Sequence, residues 1–249
     1  MAPLTTLVIA HRGHSAGAPE QTMAAFTQAI ELGAEMIEAD VRRTRDGRLV
    51  MCHDADVGRT TDGAGPVSAF DYEDLRRLDA GSWFDPSFRS ERVPTLDELY
   101  DLAAGAGVTL CLEVKGETEE EQSSLAHAVA GEIARRGRLD VDFLSSFGHR
   151  ALLDAREAFP GLRTAPDRLP ERGHADAEAT VGQALSIGAA VVQHHHEDLD
   201  AGTVRCAHDA GIAVWAWPVL TTDEIERAIA LGVDGVMGDD VAAMRGVVG

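Results

Sequence analysis

Glu38 and Asp40 stand two residues apart in the stretch MIEAD, and Glu113 and Lys115 are spaced the same way in LEVK. His11-Arg12 ends one short apolar run, and His53-Asp54 ends another. Side chains two apart on a β-strand share a face, so each spaced pair would present its two groups together. Three carboxylates brought to one point cannot all stay ionised without a cation, and a donor set made only of oxygen suits Mg²⁺ or Ca²⁺ rather than zinc. Two histidines beside such a centre titrate near neutral pH and can take and give protons. Each element alone has an ordinary meaning: a structural Glu-x-Asp pair, a turn at His-Arg-Gly, a half-buried strand whose lysine reaches out to water. Only their meeting at one place would make chemistry.

Whether they meet depends on the elements that carry them. Short β-like runs alternate with amphipathic, Ala-rich segments almost to the end of the chain, the pattern of βα units and a parallel sheet. The runs are LVIAH (7–11), MIEAD (36–40), LVMCH (49–53), TLCLEVK (109–115), DFLSSF (142–147), LRTA (162–165), AVVQH (190–194), AVWAW (213–217) and GVMGD (235–239). The second and third flank Asp46-Gly47, and the gap of about eight residues between them is too short for a parallel crossover. They are expected to form an antiparallel hairpin, which sets Cys52-His53 opposite Asp40. The remaining eight predict an α/β fold, a (β/α)8 TIM barrel with the hairpin as an extra arm at the strand C-terminal end, where the active sites of such barrels lie. His11, Arg12, Glu38, Asp40, His53, Glu113 and Lys115 would then share one rim. Residues 54 to 94 lack barrel periodicity and are expected to form a small insertion over the barrel mouth, with one helix around residues 71 to 79.

The 249 residues, 45% of them hydrophobic, suffice for one barrel domain spanning the whole chain. A formal charge of −20 opposes nucleic acid and anionic membranes as partners, since both require a basic face. It also means that local cations must attract any anionic substrate. Much of the excess acid falls in GETEEEQ (116–122) and DAEA (176–179), which read as exposed helix starts. No run reaches the roughly 18 apolar residues of a membrane span, and MAPLTTLVIA lacks a basic flank and a cleavage site, so it reads as the first strand of a cytoplasmic protein. Cys52, Cys111 and Cys206 are odd in number, lack CxxC spacing and are expected as buried, reduced thiols.

In its motifs the chain resembles the glycerophosphodiester phosphodiesterase family. HRGHSAGAPEQTMAAF, GAEMIEADVRRTRDGRLVMCHD, DAGSWFDPSF with VPTLDEL, LCLEVK, LSSF, and GIAVWAW followed by LGVDGVMGDD run in that family's order through almost the whole sequence. The resemblance implies a βα barrel that hydrolyses a small-molecule glycerophosphodiester to sn-glycerol 3-phosphate and an alcohol. Glu38, Asp40 and Glu113 would hold one divalent metal ion, Mg²⁺ or Ca²⁺. His11 and His53 would be the acid and base, and Arg12 and Lys115 would bind the phosphate oxygens. Glu20 matches the glutamate of the family's Pro-Glu-Asn-Thr and would brace Arg12 or the metal shell. Asp54 would orient His53 or cap the hairpin. The resemblance further suggests that the glycerol 2-hydroxyl attacks phosphorus, giving a cyclic phosphate that water opens while the histidines exchange roles.

Three positions depart from the family pattern: Gln21 stands where it has Asn, WPVL (217–220) replaces WTVN, and Gly238-Asp239 replaces Thr-Asp. Pro218 and Leu220 remove polar side chains from the rim where the variable part of the substrate should lie. Phe147 and Trp217 are candidates for the floor of a glycerol pocket, Trp83-Phe84 for a movable wall, and His14 for a substrate contact. Trp215 is assigned to the outer face of its strand. His194, His195 and His196 cannot all face one ion, because neighbours on a strand point to opposite faces; they read as a solvated rim. A rival activity on the same scaffold, a lysophospholipase D acting on an acylated lipid, would need an apolar channel built from Trp83, Phe84, Phe88 and Leu220. A non-catalytic barrel would have lost one of the groups at the rim, and none is missing.

Overall fold

Nine strands form in the computed structural model, which describes residues 6–168 and 177–249. They are β1 (Leu7–His11), β2 (Met36–Arg43), β3 (Leu49–Met51), β4 (Thr109–Val114), β5 (Phe143–Ser146), β6 (Arg163–Arg168), β7 (Val191–His195), β8 (Ala213–Trp217) and β9 (Gly235–Gly238). All except β3 run parallel, each pairing with the next in the order β1, β2, β4, β5, β6, β7, β8, β9, and β9 pairs back to β1. The fold is therefore a closed (β/α)8 barrel. The expected hairpin is present: Val41, Arg42 and Arg43 pair antiparallel with Met51, Val50 and Leu49, and the Cys52 N–H donates to the Asp40 carbonyl at 3.0 Å. Its turn holds Gly47 at φ 86°, a conformation that a side chain would strain.

Helices α1 (Met23–Glu31), α3 (Leu96–Ala106), α4 (Glu119–Arg135), α5 (His149–Ala158), α6 (Ala177–Ile187), α7 (Ala201–Asp209), α8 (Thr222–Leu231) and α9 (Val241–Val248) follow the barrel strands; the short α2 (Tyr72–Leu75) lies in the insertion. Thr95 with Glu98 and Thr221 with Glu224 close reciprocal capping boxes at α3 and α8, satisfying N–H groups that a helix start leaves unpaired. The acid-rich GETEEEQ opens α4, with Thr118 as cap and Glu119, Glu120 and Glu121 in the first turn, where the helix dipole favours them. Of DAEA, residues 177–179 begin α6 and Asp176 lies outside the described residues.

Strand alternation sorts the side chains into two cores. Outward residues such as Val8, Ala10, Ile37, Ala39, Leu110 and Leu112 pack against Phe26, Leu99 and Val129 of the surrounding helices. Inward residues Ile9, Met36, Cys111, Phe143, Ala165, Val191, Trp215 and Met237 fill the barrel with one apolar layer. Trp215 is thus inside, not on the outer face: it is two residues from Trp217 and shares its side of β8. Gly235 makes room for it, since a Cβ there would lie 2.7 Å from the indole. One step further along each strand the inward positions are His11, Glu38, Glu113, Ser145, Asp167, Gln193 and Trp217, so the barrel is apolar below and polar above.

The insertion differs from expectation in its helix. It is a single turn, Tyr72–Leu75, not a helix over 71–79, among three 3₁₀ turns at Val57–Arg59, Val67–Ala69 and Pro86–Phe88. After Leu75 the chain tightens into turns, with the Arg77 N–H donating to the Asp74 carbonyl at 3.2 Å and the Leu78 N–H to the Leu75 carbonyl at 3.1 Å. The Asp62 carboxylate accepts the Asp79 N–H at 2.8 Å, which competes with helix continuation. The run LRTA extends through Pro166 to Arg168, because pairing with β7 begins only at Asp167 and leaves the proline at the margin of that ladder. All three cysteines are free thiols, but Cys206 is only partly buried.

Gly238 is required by contact. A Cβ there would lie 2.1 Å from the Val219 carbonyl oxygen, which the chain brings close by donating the Val219 N–H to Met237 at 2.9 Å. Gly238→Ala should therefore cost about 1–3 kcal/mol through a forced backbone shift. Its melting temperature should fall by several degrees below that of the parent protein, and an unchanged melting curve would show that the β8–α8 loop yields freely.

Candidate active site

The ladders bring the acids together before any side chain is considered: Asp40 is in register with Glu113 across β2 and β4, and Glu38 with His11 across β1 and β2. Carboxylate oxygens of Glu38, Asp40 and Glu113 lie within 4.8 Å of one another, and all three residues are buried. Lys115 places its Nζ 3.1 Å from Asp40 Oδ1 and 2.5 Å from Glu113 Oε1. Arg12 brings its Nε to 3.3 Å from Asp40 Oδ2, and Gln21 donates its side-chain N–H to the same oxygen at 2.7 Å. Glu38 Oε2 accepts the backbone N–H of Arg12 at 3.1 Å, whereas its Oε1 is buried with no hydrogen-bond partner.

Charge at the rim is uneven. Burial works against the Asp40 carboxylate, but Lys115 and Arg12 outweigh it and hold its pKa well below the usual range. Burial pushes Glu38 well up, and Asp40 and Glu113 push it further. Burial also lifts Glu113, to about 7, in spite of Lys115. A buried carboxylate oxygen without a partner, beside more acid than two cations balance, fits a hard divalent ion, and an all-oxygen set is the one such ions take.

Two residues hold this corner under strain. Among the described residues, Arg12 and Gln21 are the non-glycine residues with positive φ, 59° and 60°. They are joined by the Gln21 N–H donating to the Arg12 carbonyl at 3.1 Å. Each conformation costs on the order of 1–3 kcal/mol and persists only where its surroundings impose it. Here the Asp40 carboxylate does so, drawing both side chains to itself.

Each histidine is backed by a carboxylate. His11 Nδ1 lies 2.7 Å from Asp239 Oδ1, and His53 Nδ1 lies 2.6 Å from Asp54 Oδ1. The hydrogen bond from Arg59 is the main reason that the Asp54 pKa falls to about 2, with His53 adding to it. An ionised acceptor fixes the tautomer: Nδ1 carries the proton and Nε2 is left for another partner. Burial lowers the pKa of His53, with Asp40 opposing, so its ring is neutral at neutral pH. Glu20 Oε1 accepts from Arg12 Nη1 at 2.9 Å.

A cavity at the strand C-terminal end is lined by His11, Arg12, Glu38, His53, Glu113 and Lys115, with Phe147, Asp167, Gln193, Trp217 and Met237 completing it. A family model described as the glycerophosphoryl diester phosphodiesterase family matches residues 11–243, from His11 of this cavity to the last helix. The chain belongs to that family. It is 35% identical over 240 residues, 95% of each chain, to a glycerophosphodiester phosphodiesterase of Caldanaerobacter subterraneus subsp. tengcongensis. A phosphodiesterase of Oleispira antarctica, solved in complex with the product sn-glycerol-3-phosphate, superposes with a TM-score of 0.89 at 28% identity, covering 98% of this chain and 97% of that one. A glycerophosphodiester phosphodiesterase of Agrobacterium tumefaciens gives 0.82 at 25% identity, covering 97% and 100%. The chain is accordingly an enzyme, a glycerophosphodiester phosphodiesterase by family.

Not every residue singled out in the sequence reaches this phosphodiesterase cavity. Phe147 lies under the Lys115 ammonium at 5.5 Å and meets Trp217 edge-on at 5.7 Å. Trp83 is 40% exposed, is stacked edge-on with Phe84 in the insertion and is not among the lining residues. His14 accepts the N–H of Val241 at the start of α9 instead of facing the cavity. His194 is buried, His195 packs against Trp217, and His196, just past the end of β7, lies against His195 with its side chain only 11% exposed, so the three histidines are not a solvated rim.

Asp239, Asp167 and Gln193 were not picked out as site residues. Asp239 follows from closure: Ala10 pairs with Gly238, so the next residues, His11 and Asp239, are neighbours. Asp167 is two residues beyond Ala165 on the inward face, a position lost by ending the strand before Pro166. It accepts from the Ser145 hydroxyl at 2.9 Å, and burial drives its pKa well up.

The raised Glu113 pKa has a consequence in buffer free of divalent ions. A carboxyl whose pKa rises on folding from its ordinary 4.5 to about 7 weakens the folded state progressively as pH climbs through that window. Glu113→Gln should melt higher than the parent at pH 8, and the advantage should shrink on titration towards pH 4.5. Adding Mg²⁺ or Ca²⁺ should raise the parent's melting temperature and leave the variant's nearly unmoved.

Proposed function

We propose that the protein hydrolyses glycerophosphodiesters to sn-glycerol 3-phosphate and an alcohol by proton transfer between His11, His53 and the substrate. The observation that carries this reading is the pair of His–Asp units opening on one cavity beside Arg12, Lys115 and the carboxylate triad. The product held by the Oleispira antarctica relative supports the same substrate class.

Arg12, through its planar fork, and Lys115, as a point charge, bind the phosphoryl oxygens and neutralise charge that builds up during attack. His53, neutral and held by Asp54, takes the proton of the glycerol 2-hydroxyl at Nε2 as that oxygen bonds to phosphorus. His11, with its imidazolium supported by Asp239, gives its Nε2 proton to the departing alkoxide as the other P–O bond breaks. In the second half water loses a proton to His11 and opens the cyclic phosphate. The proton on His53 returns to the 2-oxygen, and both rings regain their starting states. Glu38, Asp40 and Glu113 would hold one divalent ion, Mg²⁺ or Ca²⁺, which when bound supplies charge neutralisation and acidifies a coordinated hydroxyl. The rival lipid-cleaving activity is less well supported, since Trp83, Phe84, Phe88 and the 57% exposed Leu220 all lie outside the lining of this cavity.

Exhaustive chelation should abolish turnover of a glycerophosphodiester, and Mg²⁺ or Ca²⁺ should restore it; full activity after chelation would reject the ion. His53→Ala should cost about 10²–10⁴-fold in kcat.

The route through a cyclic phosphate has its own test. A substrate with hydrogen in place of the glycerol 2-hydroxyl should bind as a competitive inhibitor without being cleaved, because its phosphate contacts survive. Cleavage at a rate near that of the natural diester would mean that water attacks directly.

A further inference from the structure

We propose that Arg59 is a positioning residue, a single guanidinium that locks the support of His53 to the support of Arg12. The inference rests on the roles given to those two residues above. Arg59 ends the 3₁₀ turn Val57–Arg59 in the insertion and is not among the residues lining the cavity. Its Nε donates to Asp54 Oδ2 at 2.5 Å, while Nη1 and Nη2 donate to Glu20 Oε2 and Oε1 at 2.7 and 2.9 Å. Asp54 spends its other oxygen on His53, and Glu20 Oε1 is shared with Arg12. His53, Asp54, Arg59, Glu20 and Arg12 therefore form one unbroken series, with a cavity-lining group at each end.

As a stability device this cluster would be weak, because the Arg59 side chain is 44% exposed and that of Asp54 34%, and surface ion pairs contribute little. Its geometry serves position instead. The fork grips Glu20 with two N–H groups and turns a third to Asp54, an arrangement that fixes orientation and that a lysine cannot reproduce. A comparison within the site shows why it is needed. Asp239, behind His11, follows directly on β9, where the barrel itself holds it. His53 and Asp54 stand beyond the end of β3, on an arm outside the barrel, and groups on loops are held less closely than groups on strands. Without Arg59, Asp54 can rotate and take His53 with it. Arg12 would also lose the anchor of its brace, since Glu20 would then be held only by the Arg12 Nη1 bond at 2.9 Å.

The test uses the intact enzyme with a glycerophosphodiester and its divalent ion, comparing Arg59→Ala, Arg59→Lys and the double variant Arg59→Ala with Asp54→Ala. Arg59→Ala should lower kcat by about a hundredfold, the scale of a small misplacement of a reacting group, and raise KM through Arg12. Arg59→Lys should recover little of either. In kcat the double variant should be no worse than Asp54→Ala alone, because the two residues act on His53 as a unit, while its KM should be raised as in Arg59→Ala. By proton NMR, the downfield Nδ1 proton of His53, identified by its loss in His53→Ala, should be sharp in the parent and lost to exchange in Arg59→Ala. Kinetic constants within about twofold of the parent, full rescue by lysine, additive losses of kcat in the double variant, or an unchanged Nδ1 signal would each overturn the proposal. If Arg59→Ala does not fold, Arg59→Gln replaces it, with melting curves confirming the fold. Near-parental turnover in His53→Ala would instead refute the functional reading itself, so the two failures are distinct.

Discussion

Like charges crowded out of water govern this molecule. Glu38, Asp40 and Glu113 share one side of the barrel mouth with only Arg12 and Lys115 to balance them, and none of the three is open to bulk solvent. Everything around them answers that crowding. Lys115 sits between Asp40 and Glu113, Arg12 and Gln21 take left-handed backbone to reach the other Asp40 oxygen, and the backbone N–H of Arg12 is spent on Glu38. A barrel that carries this load above must be well filled below, which is where Trp215, Phe143 and Met237 interlock over Gly235. The strain and desolvation at the rim are sustained by apolar packing on both sides of the strands.

Much of this could be read from residue order because two periods do the reading. Alternation of short apolar runs with amphipathic segments located the strands, and the gap around Asp46-Gly47 separated the arm from the barrel and set Cys52 against Asp40. Spacing of two put Glu38 with Asp40 and Glu113 with Lys115 on common faces. The same rule, applied consistently, would have turned Trp215 inward with Trp217. What stayed hidden has specific causes. Asp239 meets His11 only because the last strand closes on the first, a contact between residues 228 positions apart. Asp167 lay behind a proline that normally ends strands. The 71–79 segment has a helical pattern, but the Asp62 carboxylate, 17 positions earlier, captures the backbone N–H of Asp79.

Net charge and site charge also act on different scales. The chain carries a formal −20, yet the cavity is entered past Arg12 and Lys115. An anionic diester therefore meets general repulsion at a distance, which salt screens within about 10 Å, and specific attraction at contact. The family's polar residues at the β8 loop are replaced here by Pro218 and Leu220, neither of which is among the residues lining the cavity.

The insertion has a core of its own. Val50, Cys52, Val57, Val67, Tyr72, Leu75, Ala80 and Val93 cluster apart from both barrel cores, and His53, Asp54 and Arg59 belong to the chain that wraps this cluster. A small cluster opens at a lower free energy than the body it is attached to. On the mechanism proposed above, each such opening would withdraw one of the two proton carriers while His11 and Asp239 stay seated at the ends of their strands. Heat tolerance of the enzyme would thereby be uncoupled from heat tolerance of the barrel: on warming, turnover should fade while the circular dichroism of the helices is still intact, with the working lifetime set by the insertion's handful of apolar contacts.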